Sequence, residues 1–152
     1  MKVASVLSLG LVLLTLACKK EPERKVYFGN LVDGAEVQSP FVVEMKAENL
    51  IVEPATLGIN DGHGHFHIII DNPLPATKSP IPKNEQHIHY GGGQTQDTLD
   101  LPMGEHSLIL QFATGDHIPY DPQIKQEIHI KVTSRLEPAP ADSTLDSLTM
   151  AP

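Results

Sequence analysis

His65-Phe66-His67-Ile68-Ile69-Ile70-Asp71 decides the fold class of this chain. Read with a period of two, Phe66, Ile68 and Ile70 form a wholly apolar set, and His65, His67, Ile69 and Asp71 alternate with them. That pattern is a β-strand with one face in the core. The phenylalanine set takes the core, and the two histidines leave the opposite face about 6.5 Å apart. His87-Ile88-His89-Tyr90 repeats the arrangement, with Ile88 and Tyr90 turned inward. If the two stretches pair, cross-strand side chains about 4.5–5.5 Å apart bring four imidazoles together.

Further apolar or alternating runs lie at residues 26–28, 41–47, 98–101, 106–113 and 127–133, separated by Gly, Pro, Asn and Asp. No segment holds an amphipathic helical period over three turns, so the chain predicts an all-β, immunoglobulin-like antiparallel β-sandwich over residues 26–134. It has no tryptophan and a single cysteine, which sets it apart from antibody domains. Between the two histidine stretches runs NPLPATKSPIPKN, whose four prolines make it stiff and extended. It is either a crossover between sheets or a wall of the site.

All 8 histidines fall between His63 and His129. Neutral imidazole is the commonest protein ligand for borderline metals, so the candidate ligands are His65, His67, His87, His89, His106 and His117. His106 shares parity with Leu108, Leu110 and Phe112, at the rim of the core face, and His117 sits in the loop ATGDHIPYDP. Asp71 is placed to hold a histidine's second ring nitrogen. His63 lies between two glycines, and His129 reads as an ordinary solvent-side residue. Met103 reads as an apolar turn plug rather than a copper ligand. Gly91-Gly92-Gly93 lacks the GK[ST] ending of a phosphate loop and reads as a turn with positive φ or a close backbone approach. Nucleophilic catalysis finds no GxSxG, zinc proteolysis finds no HExxH, and no catalytic residue is assigned.

The N-terminus reads as a signal peptide over residues 1–17, an apolar run too short to span a bilayer. The segment LTLAC resembles a bacterial lipobox, which makes Cys18 the lipid site, residues 18–25 a tether and the membrane a partner through lipid. The expected location is the cell envelope. Eleven basic residues against 19 acidic ones, net −8, exclude nucleic acid as a partner. Residues 135–152, rich in Pro, Ala, Ser, Thr and Asp, read as a disordered tail.

The ordered series NLVDGAEVQSPF, GHGHFHIIID, HIHYGGGQT, LPMGEHSLIL and GDHIPYDP resembles a bacterial exported family, domain of unknown function four-three-nine-nine, over residues 26–133. The resemblance implies a periplasmic or surface β domain without an established activity. It carries over His65, His67, His89, His106 and His117, with His87 nearly as good, and leaves His63 and His129 outside the pattern. DGAEVQSPFVVEM is also similar to the first strands of periplasmic copper-resistance sandwiches, at the level of fold alone.

The sequence thus predicts an exported, lipid-anchored protein that binds copper, or next zinc, for capture or delivery. Two other classes stay open: a histidine-ligated metalloenzyme, and a metal-free interaction module with a pH-sensitive histidine patch. Because ligands must be neutral, metal affinity is expected to fall as pH drops through the histidine range near 6.5.

Overall fold

The computed structural model describes residues 21–135. The expected signal peptide, Cys18 and the expected tail beyond residue 135 lie outside the described residues, among which no helix is long and apolar enough to cross a membrane. Two sheets enclose one core. The smaller has β3 (Phe41–Glu48) between β1 (Lys25–Phe28) and β7 (Gln96–Leu99), all antiparallel. The larger runs β2 (Ala35–Ser39), β9 (Lys125–Arg135), β8 (Gly104–Ala113), β5 (His63–Ile70). Two short strands, β4 (Ile51–Val52) and β6 (His87–His89), share the remaining edge of β5, β4 along its first residues and β6 further on.

The sandwich is mixed rather than purely antiparallel, because β2 pairs with β9 and β4 pairs with β5 in parallel. Both parallel partners are short edge strands. β2, AEVQS, carries one buried residue, Ser39, and Pro40, which has no N–H to continue the ladder, separates it from β3 in the other sheet.

The core lies between the sheets. Phe66, Ile68 and Ile70 of β5 meet the inner faces of β1 and β3 within one buried cluster, beside Leu108, Leu110 and Phe112 of β8. Phe66 and Phe112 are register partners, their rings edge to face at 5.4 Å. Tyr90 is buried as expected, while Ile88 is only partly so.

The outer face of β5 is as dry as the inner one: His65 is 0% exposed, His67 1% and Ile69 0%. The proline-rich connection covers this side. It leaves β5 and returns as β6 in the same sheet, so it is no crossover. Buried Ile81 donates its N–H to His117 O at 2.9 Å, and Gln123 Nε2 donates to Pro75 O at 2.8 Å, which ties the connection to the β8–β9 loop as a wall.

Gly64 is where β5 enters this packing. A Cβ there would lie 2.0 Å from Ala113 O on β8. Gly64→Ala therefore pries β5 from β8 next to His65 and is expected to cost about 1–3 kcal/mol. Urea unfolding checks this, and an unchanged midpoint contradicts the close approach.

Candidate metal centre

Three backbone features converge on one point of the outer face. β5 supplies His65 and His67 from alternate positions. β6 supplies His89, which stands directly opposite His67 in the antiparallel register. The β8–β9 loop supplies His117 from a turn in which His117 N donates to Thr114 O at 2.9 Å and Thr114 N donates to Ile118 O at 3.0 Å. His117 takes φ of 68°, a left-handed conformation that costs a residue with a Cβ about 1–2 kcal/mol. Such strain recurs where a side chain must be aimed.

His65 Nε2 lies 3.0 Å from His67 Nε2 and 3.0 Å from His117 Nδ1. One nitrogen from each of His65, His67, His89 and His117 falls within 4.8 Å of all the others. Four nitrogens around an ion at about 2.0–2.1 Å stand about 3.3 Å apart in a tetrahedron, so the two 3.0 Å contacts already match and the wider pairs must draw in. The donor set is entirely imidazole, and the cluster is able to hold a metal ion.

Several nitrogens of these rings have no hydrogen-bond partner. His65 Nδ1, His67 Nδ1 and His89 Nε2 are buried without a hydrogen bond, and so is Gln111 Oε1 on β8. Burial, joined by repulsion from the neighbouring rings, pushes the His65 imidazole down to about 4 and the His67 imidazole down to about 2. Burial also lowers His89, with His117 and Lys83 adding to it. The two buried rings are therefore neutral, with lone pairs free for an ion, well below the pH near 6.5 at which the sequence alone places their protonation.

Gly91 seats His89. A Cβ at residue 91 would fall 2.2 Å from His89 Nε2, so only glycine lets the ring lie against the following backbone. Gly93, with φ of 79°, completes the turn, so the triple glycine shows both features expected of it. Tyr90 pins the strand end, donating its N–H to Phe66 O at 3.0 Å and its hydroxyl to Asp97 Oδ2 at 3.0 Å.

Two of the six histidines proposed from sequence stand apart from the cluster. His87 lies across from Ile69, further along the strands, and its Nδ1 pairs with Asn84 Oδ1 at 2.9 Å. His106 follows its parity with Leu108, Leu110 and Phe112 and so sits on the opposite face of the sheet. There its Nδ1 lies 2.7 Å from Asp71 Oδ2 and its Nε2 2.9 Å from Pro102 O. Asp71 thus orients His106, and its Oδ1 accepts Ser107 N–H at 2.8 Å, instead of supporting the four clustered rings. His63 pairs with Glu53 at 2.8 Å and exposed His129 with Asp33. Met103, 66% exposed, is not a turn plug, and it sits at the far end of β8 from the cluster. The sequence reading passed over Gln111, although a glutamine in the apolar run LILQFA is the signal that marks it.

The protein is thus a β-sandwich with a four-histidine cluster on the covered outer face of its larger sheet. The chain belongs to the family described as Domain of unknown function (DUF4399), whose pattern matches residues 43–133, a span that contains all four clustered histidines. Among solved structures it is similar to the endo-beta-1,4-mannanase from Thermotoga petrophila, known from X-ray work, with 17% identity and a TM-score of 0.45. The match covers 76% of this chain and only 21% of the enzyme. No curated protein matches the chain in sequence.

The lowered imidazoles fix a sign for stability. A histidine neutral in the folded state and basic near 6.5 when unfolded binds its proton first in the unfolded chain, so stability falls as pH drops below about 6.5. The slope is about 1.4 kcal/mol per pH unit for one such group. His106 acts oppositely: burial alone would lower it, but Asp71 and Pro102 O together raise it, so its contribution is present below about 6.5 and lost as pH rises through its folded value. With chelator present, the unfolding free energy is therefore expected to fall from pH 6.5 to 5. His65→Leu with His67→Leu flattens that slope, as urea titrations at each pH will show.

Proposed function

We propose that this chain is a transition-metal-binding protein of the cell envelope, with copper the preferred ion and zinc the next. One observation carries the reading: a nitrogen from each of His65, His67, His89 and His117 lies within 4.8 Å of all the others, with His65 and His67 shut away from water. An all-imidazole donor set suits copper and zinc, and copper wins among divalent first-row ions on intrinsic affinity. Four protein donors fill a tetrahedral shell, which favours holding an ion over catalysis, where one position stays open. Capture or delivery of the ion is the role this supports.

Export and lipid attachment rest on the N-terminal sequence, where LTLAC ends at Cys18. The acidic surface, net −8, offers anionic lipid no attraction, so a lipid on Cys18 would supply the anchor.

Calorimetric titration of Cu(II) and Zn(II) into the untagged protein at pH 7.5 tests the metal reading. Wild type is expected to bind one ion tighter than micromolar, and His65→Ala with His67→Ala to abolish binding. His106→Ala and His129→Ala should bind as wild type does. A wild type that binds neither ion, or a His65/His67 variant that binds equally well, refutes the site. For the anchor, Cys18→Ala is expected to move the protein out of the membrane fraction, and an unchanged location would end the lipoprotein reading.

A further inference from the structure

We infer that Gln111 is a positioning residue for the metal centre, accepting the Nδ1–H of His67 when His67 Nε2 holds the ion. The inference rests on the metal-binding reading above and deepens it. Gln111 stands directly opposite His67 in the β5–β8 register, and both side chains are almost fully buried on the same outer face. Cross-strand partners of this kind have Cβ atoms about 4.5–5.5 Å apart.

The orientation of the amide is fixed from its other end. Gln111 Nε2 donates to Phe112 O at 2.9 Å and to Ile124 O at 3.2 Å, two backbone acceptors that only the NH₂ group can satisfy. Oε1 is therefore the free end, and it has no donor. His67 presents the complementary defect. Its Nε2 faces His65, leaving Nδ1 as the outward nitrogen, buried and without an acceptor. An imidazole that gives its Nε2 lone pair to a metal must carry its proton on Nδ1, and metal-bound histidines nearly always pass that proton to an acceptor.

The other rings do not compete for this acceptor. His65 faces Ala113 across the same register, which offers no side-chain acceptor, and His89 lies on β6, across β5 from β8. Gln111 Oε1 is the one buried side-chain oxygen without a donor among the described residues. His67 lies between His89 on one side and Gln111 on the other, so one strand-to-strand line runs from ligand to ligand to acceptor.

Two variants test this against a merely structural role for Gln111. Gln111→Met removes the acceptor at similar volume, and Gln111→Glu keeps an acceptor oxygen while losing the bonds to Phe112 O and Ile124 O. Zn(II) and Cu(II) affinities at pH 7.5 are expected to fall roughly 10–100-fold in Gln111→Met and much less in Gln111→Glu. If Gln111 only ties down the two carbonyls, both variants lose stability alike and Gln111→Met binds metal as wild type does, which overturns the inference while the metal site stands. A wild type that binds no ion overturns both. Should Gln111→Met fail to fold, the Zn(II)-loaded wild type decides by nitrogen-15 NMR. A His67 Hδ1 resonance protected from exchange supports the bond, and an Nδ1 without a protected proton contradicts it.

Discussion

A buried polar atom without a partner costs about 1–3 kcal/mol, and this chain concentrates that cost on one patch, the outer face of β5 and its neighbours. The rest of the architecture follows from keeping that face dry. A strand covered on only one side would let water satisfy His65 and His67. Here the proline-rich connection closes the second side and is bonded to the β8–β9 loop through Ile81 and His117. Water is excluded from His65 and His67, both rings are held neutral, and ring nitrogens meet across 3.0 Å. A bound cation would draw the lone pairs of such nitrogens to one point.

Local compromises serve the same end. His117 accepts a left-handed backbone so that Nδ1 reaches His65, and Gly64 and Gly91 forgo side chains so that a strand and a ring can approach closely. Replacing buried polar partners with apolar groups of similar shape is often neutral or stabilising, so nothing in folding alone asks for histidine at 65 and 67. The cluster is best understood as function held at the expense of stability. Positions on two strands and a tied loop also make the site rigid, which suits selective retention of an ion.

Much of this was legible in the sequence because a period of two is a geometric fact. Alternation in HFHIIID put Phe66, Ile68 and Ile70 in the core and both histidines on the other face, and alternation in HIHY turned His89 to the same side as His67. What the pattern could not give was distance along the strand. His87 has the right face but stands beside Ile69, past the cluster. His106 was readable as belonging to the core face from its parity with Leu108, and the histidine count around it outweighed that signal. The two parallel pairings were invisible because β2 is an edge strand held by a partner far off in sequence, and β4 is only 2 residues long. The drop in histidine basicity was invisible too, since burial of the outer face depends on where a loop folds back.

The central claim is that four particular rings share one ion. Crystals of the protein grown with Cu(II) or Zn(II), with diffraction recorded at the absorption edge of the metal, test it most directly. One anomalous peak is expected about 2.0–2.1 Å from a nitrogen of each of His65, His67, His89 and His117. A peak at His106 and Asp71 or at His63 and Glu53 instead, or an ordered cluster with no peak at saturating metal, would contradict it.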